Sequence, residues 1–170
     1  MFRTTYRVHM DLTALADSKA NIMISINGLI LSIILASIAP KIDANTWLLV
    51  PTSMVLLSCL GAIIFAVLAA RPRVNARRIS LEQVGSGNIN LLFFGNYTQL
   101  TEDEFVAGME KLVDQPDLLY SNMMRDLFGI GTVLSRKFSL LRKSYTFFMI
   151  GLSVSVVAFI VVFATQSYAP

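Results

Sequence analysis

The chain has one cysteine and one histidine among its 170 residues. A disulfide framework is thereby excluded, and a closed zinc site, which draws on four Cys, His or carboxylate ligands, finds too few. Charge is also scarce: 15 % of residues are charged, against about a quarter in ordinary soluble domains. Hydrolytic or transfer chemistry needs a base beside a nucleophile, a metal cluster or a phosphate loop, and none is present. Gly85, Ser86, Gly87 and Asn88 superficially suggest a phosphate cradle but lack the preceding strand and a suitably spaced lysine. His9 falls in the amphipathic start of the first helix, as an interfacial side chain. Glu102, Asp103 and Glu104 fall in a first helical turn, where the helix dipole favours acids. No catalytic residue, metal site or cofactor is expected, and the chain does not read as an enzyme.

What the sequence has instead is apolar surface: 55 % of residues are hydrophobic and the mean hydropathy is +0.63. No charge occurs between Lys19 and Lys41, between Asp43 and Arg71, or from Ser144 to Pro170. Each interval can cross a hydrocarbon core of about 30 Å as a helix rising about 1.5 Å per residue. The expected spans are 22–39, closed by Pro40; 47–70, closed by Arg71, Pro72 and Arg73; and 147–165. Of the 14 Lys and Arg residues, all but Lys41 fall before the first span or between the second and third. The positive-inside bias therefore puts the N-terminus and residues 71–146 in the cytoplasm and the C-terminus outside. Ser37 and Ala39 resemble a signal-peptide cleavage site. The roughly 20-residue leader with Asp11 and Asp17, and Pro40 after the cut, argue against that.

The fold class that follows is an all-α membrane protein with three transmembrane helices and an α-helical cytoplasmic domain between the second and third spans. Residues 1–21 form a cytoplasmic helix leading into the first span. Within the domain, Thr101 as N-cap and Glu104 three positions on make a capping box, with Leu100 able to staple on Phe105, and the helix should end near Asp114, before Pro116. From Tyr120 through Met124, Leu127, Gly131, Leu134, Phe138, Leu141, Tyr145, Phe148 and Leu152 to Ser155, seam residues alternate at four and three. That is a heptad pattern. It crosses Arg136, Lys137, Arg142 and Lys143 without losing phase, so residues 117–165 read as one helix. The seam suits a bundle within one chain and a contact between chains equally well. Gly129 and Gly131 weaken it by about 1 kcal/mol each relative to alanine.

In the first span Ala14, Asp17, Asn21, Ser25, Gly28, Ser32 and Ala36 stack on one helix face. Polar groups in hydrocarbon need partners, so this face should meet other helices or water. Close packing and pore lining both fit it; Asp17 and Asn21 at the cytoplasmic mouth favour a pore lined by Asp17, Asn21, Ser25, Gly28 and Ser32. Enclosing water takes more helices than one chain supplies, which implies a homo-oligomer with copies of the first span about an axis. Ser58, Ala62 and Ala66 in the second span, and Gly151 and Ser155 in the third, read instead as packing faces.

The basic and aromatic residues suit an anion. Arg71, Arg73, Arg77 and Arg78, followed by Asn88, Asn90, Phe93, Phe94 and Tyr97, combine charge for phosphates with amide and aromatic groups for bases. The same arginines also suit topology and anionic lipid. The candidate ligand-binding set is Arg77, Arg78, Asn90, Phe93, Phe94, Arg125, Arg136 and Lys137.

Four stretches resemble the transmembrane effector domain of Pycsar-type antiphage systems. They are Ala16, Asp17, Ser18, Lys19, Ala20, Asn21; Asn90, Leu91, Leu92, Phe93, Phe94, Gly95, with Glu104 and Phe105; Asn122, Met123, Met124, Arg125, Asp126, Leu127; and Ser135, Arg136, Lys137, Phe138. The resemblance implies an effector of the bacterial inner membrane, with a periplasmic C-terminus, paired with a cyclase or nucleotidyltransferase and impairing the membrane of an infected cell. Such effectors answer to nucleotide signals: cyclic pyrimidine mononucleotides in Pycsar, and in similar Hailong-type systems an oligonucleotide that holds the channel shut. No recognisable cyclic-nucleotide-binding barrel remains once the spans are set aside, which leaves the ligand, a cyclic nucleotide or short oligonucleotide, and its sign open. The expectation is a homo-oligomeric ion channel in the lipid bilayer, a tetramer, gated by that nucleotide. The alternative is a non-conducting membrane anchor or scaffold with a cytoplasmic oligomerisation helix.

Overall fold

The computed structural model describes residues 1–41, 45–72 and 90–167. Among them there is no strand. The helices are α1 (Phe2–Ile38), α2 (Leu49–Ala70), α3 (Phe94–Tyr97), α4 (Glu102–Asp114) and α5 (Pro116–Ser167), with single 3-10 turns at Ala39–Lys41 and Thr46–Leu48. Three helices are long and apolar enough to cross a membrane: α1, α2 with the turn before it, and α5. At about 1.5 Å per residue, the 37 residues of α1 extend about 55 Å and the 52 of α5 about 78 Å. Both exceed a hydrocarbon core of about 30 Å, so each must carry a length of helix beyond it.

The ends follow from local chemistry. α1 stops before Pro40. α2 stops at Arg71, whose ψ of 124° is extended, as the residue before a proline prefers. Gln115, before Pro116, is likewise extended, with ψ 90°. Pro116 then opens α5 at the first helical position, where its missing N–H is no loss. The Thr101 side chain accepts from the Glu104 N–H, and the Glu104 carboxylate accepts from the Thr101 N–H at 2.8 Å. The capping box expected for α4 is therefore formed.

The chain divides into two compact units. The first holds Met1–Leu12 and the described part of Pro72–Ser135; the second holds the described part of Thr13–Arg71 and Arg136–Pro170. In the first unit the opening turns of α1 lie against α5. The Phe2 and Tyr120 rings are 6.1 Å apart, and a Cβ on Gly131 would meet the His9 ring at 3.5 Å. Tyr97 of α3 packs on Phe105 of α4, with centroids 5.0 Å apart.

The second unit is a three-helix contact built on small residues. Ala20 of α1, Ala69 of α2 and Leu141 of α5 form one buried cluster; Met23, Ala62 and Ala66, covered by Ile24 and Phe148, form another. Ser58 donates to the Phe147 carbonyl at 2.9 Å and Ser144 to the Ala62 carbonyl at 2.7 Å, both bonds joining α2 to α5. Helix association in lipid rests on such close contacts, with side-chain hydrogen bonds adding about 0.6 kcal/mol each. Trp47 packs on Phe159 and Phe163 at 6.1 and 6.2 Å, an aromatic cluster of the kind found at a membrane interface. The heptad seam of α5 is buried within the chain at Leu134, Leu141 and Ser155, whereas Tyr120 and Met124 stay exposed.

Gly151 is the tightest point, since a Cβ there would overlap the Ser58 side chain. Gly151→Ala should destabilise the bundle by about 1–3 kcal/mol through overpacking. Adding Ser58→Gly should recover part of the loss, read by unfolding of the reconstituted protein in a double-mutant cycle.

Candidate functional site

Two groups of residues carry chemistry, one in each unit. The first is the polar face of α1 in the second unit. Residues Ala16, Ala20, Met23 and Asn27 are buried, Ala20 and Met23 in clusters with the other two helices. The opposite edge is not: Asn21, Ser25 and Ser32 are exposed and Gly28 is half-buried with open space over its Cα. Asp17, Asn21 and Ser25 line an open groove together with Ile22 and Ile26. Ser32 donates to the Gly28 carbonyl at 2.9 Å, satisfying itself within its own helix.

Asp17, at the N-terminal end of this edge, is half-buried and ion-paired with Lys137 of α5 at 2.5 Å. One residue expected on the pore and one expected on the ligand thus neutralise each other. Asn27 was not singled out by the sequence pattern, yet it is fully buried; its Nδ2 donates to the Met23 carbonyl at 2.8 Å and its Oδ1 has no hydrogen-bond partner. Its place four and seven residues from Met23 and Ala20, on the buried face, was the available signal.

The second group is the segment 90–97 packed on α5 in the first unit. Asn90 is hydrogen-bonded within the unit: its Nδ2 donates to Asp126 Oδ1 at 2.9 Å, its Oδ1 accepts from the Leu92 N–H at 3.0 Å, and its backbone carbonyl accepts from Asn96 Nδ2 at 2.7 Å. Leu91 is buried, and its N–H donates to Asn122 Oδ1 at 3.1 Å. Asn122 and Asp126 are one helical turn apart, so a single face of α5 clamps the segment at two points. Phe93 is half-buried over Gly95, where a Cβ would stand 2.6 Å from its ring. Phe94, 5.1 Å from Phe93, is exposed, as is Arg125. Arg136 is exposed and, with Lys137, belongs to the other unit. Arg77 and Arg78, together with Arg73 and the stretch Gly85 to Asn88, lie outside the described residues.

Asn122 and Asp126 appeared in the sequence only as part of a motif. A polar pair at i and i+4 beside an apolar seam was the signal that marked them as a clamp. No three His, Cys, Asp or Glu side chains converge among the described residues, so what this arrangement offers is hydrogen bonding, aromatic surface and charge.

A family model described as the Pycsar effector protein domain matches residues 1–165. No curated protein and no solved structure matches the chain.

Loss of a buried hydrogen bond that leaves its partner unsatisfied costs roughly 1–3 kcal/mol. Asn122→Ala should therefore accelerate hydrogen exchange at the Leu91 amide by about tenfold or more, while exchange in the α2 backbone stays unchanged.

Proposed function

The chain belongs to the Pycsar effector family, and from that premise we propose that this membrane effector of antiphage defence is a homo-oligomeric ion channel, a tetramer, whose pore is lined by α1. A nucleotide signal, cyclic or a short oligonucleotide, made by a partner cyclase or nucleotidyltransferase, sets its open and closed populations. The protein sits in the bacterial inner membrane with its N-terminus and residues 71–146 in the cytoplasm and its C-terminus in the periplasm.

The observation that carries this reading is the division of α1 into two edges. One edge, from Ala16 to Asn27, is used inside the chain; the other, with Asn21, Ser25 and Ser32, is left exposed. An amide or hydroxyl facing acyl chains loses its water, so this edge is better matched to a wet axis shared by several copies. Three helices packed through alanines and serines enclose no lumen of their own, which is why the pore is placed between copies.

A ligand shifts such an equilibrium only by binding one state better than the other. Moving it from 1:99 to 99:1 takes about 5.5 kcal/mol of differential affinity. The lever is the cytoplasmic half of α5, which Lys137 ties to α1 at Asp17.

Purified protein in planar bilayers should conduct. Asn21→Leu and Ser25→Leu should each abolish the current while native mass spectrometry shows an unchanged copy number. Undiminished conductance in both variants would remove α1 from the pore.

A further inference from the structure

The exposed edge of α1 is neutral along most of its length. Asn21, Ser25 and Ser32 offer an amide and two hydroxyls, which carry both donors and acceptors and so answer to an ion of either sign. No charged residue follows Lys19 before Lys41, and Lys19 itself, two positions after Asp17, points to the far side of the helix. Asp17, Asn21 and Ser25 line one open groove, and among the described residues on its wall Asp17 alone is charged. Its pairing with Lys137 makes the two neutral in sum, but they are not placed alike. The Asp17 side chain is 38 % exposed and lines the groove, whereas the Lys137 side chain, on α5, is 17 % exposed and does not line it. The pair therefore turns its negative end to the groove. Because Coulomb attraction falls with distance, an ion in the groove feels the nearer carboxylate more than the ammonium behind it, and the field that survives favours a cation.

We propose that Asp17 is the charge-selecting residue of the pore, admitting small monovalent cations ahead of anions, and that Lys137 is a positioning residue that fixes the carboxylate and damps its field. This rests on the reading of α1 as pore-lining and adds to it the class of ion that passes. Copies of α1 about one axis bring their Asp17 carboxylates into a ring, and rings of carboxylates select cations. Bare carboxylates held close together resist ionising together. A lysine behind each one relieves that repulsion while leaving the negative charge in front. If the pair served only to fasten α1 to α5, losing either partner would have the same effect. If it sets the field at the axis, the two losses act in opposite directions: Lys137→Gln bares the carboxylate, and Asp17→Asn leaves the ammonium as the nearest charge.

The test is the reversal potential of the full chain in planar bilayers between unequal KCl solutions, with copy number checked by native mass spectrometry. The wild type should reverse toward the potassium equilibrium potential, with potassium preferred over chloride by about tenfold, the lower end of what a cleft lined by one sign of charge achieves. That preference should shrink as salt is raised on both sides. Lys137→Gln should move the reversal potential further the same way, and Asp17→Asn should move it to zero or toward chloride. The exchange of Asp17→Lys with Lys137→Asp keeps a pair between the helices and should invert the preference, which separates charge selection from loss of assembly in the single variants. A wild type that conducts but reverses at zero or toward chloride, single variants that shift in the same direction, or an exchange variant that still prefers potassium overturns the role of Asp17 and leaves α1 as the pore lining. A wild type that passes no current overturns the pore itself and this inference with it.

Discussion

α2 and α5 approach each other as closely as backbones allow at Ser58 and Gly151, where the glycine has no Cβ and the serine hydroxyl reaches the Phe147 carbonyl across the gap. In a bilayer, where burying apolar side chains against each other gains little over leaving them in lipid, contact of this kind holds helices together. The rest of the membrane bundle follows from it. With α2 and α5 clamped, their alanines and Leu141 leave a shallow surface that only small or slender side chains can meet, and α1 supplies Ala16, Ala20 and Met23. Because those positions recur on one face of a helix, choosing them turns Asn21, Ser25 and Ser32 away from the bundle. The exposed polar edge is thus a geometric consequence of how the other edge is used.

The same packing explains why the two long helices behave as single elements. α1 and α5 each continue from one compact unit into the other without a proline or a reversal. In the second unit they are joined by the Asp17–Lys137 pair and by the clusters around Leu141 and Phe148. In the first unit they are joined where Phe2 meets Tyr120. The low charge content fits this economy. Few charges exist, and where Asp17 and Lys137 fall near the membrane they neutralise each other.

Much of the fold was legible because its signals are local or periodic. The uncharged intervals gave three helices able to span, Thr101 and Glu104 gave the start of α4, Pro116 gave the start of α5, and the four-three spacing gave a 52-residue helix. The small faces at Ser58, Ala62, Ala66, Gly151 and Ser155 were also readable, since a run of small residues at helical spacing has few other uses. What the pattern left open was pairing over distance. It could not show that the seam of α5 is partly consumed at Leu134 and Leu141 yet exposed at Met124. Nor could it show that Asn90 would spend its amide on Asp126, or that Lys137 would meet Asp17. These depend on which helix lies beside which, information that periodicity along one segment does not contain.

Two asparagines six positions apart on α1 show what an exposed edge demands. Asn27 is sealed inside the bundle, and even there its amide bonds to its own helix while its oxygen goes without a partner. That residue is tolerated because the packing around it is tight and the alternative, an amide in hydrocarbon, is worse. Ser32 escapes the problem by returning its hydroxyl to the Gly28 carbonyl. Asn21 has neither remedy to the same degree, since a side-chain amide carries two donors and an acceptor oxygen with two lone pairs, and it is exposed. A single chain therefore leaves one edge of α1 poorly matched to lipid along the length from Asp17 to Ser32. Copies of the chain that turn this edge inward remove the mismatch in all of them at once, whether the enclosed space fills with water or closes on the serines. In the proposed oligomer, the choice between those two outcomes is set by how closely neighbouring α1 helices approach. Gly28, with nothing over its Cα, permits both a near and a far position, which is the property a helix needs if the same edge is to be sealed in one state and wet in the other.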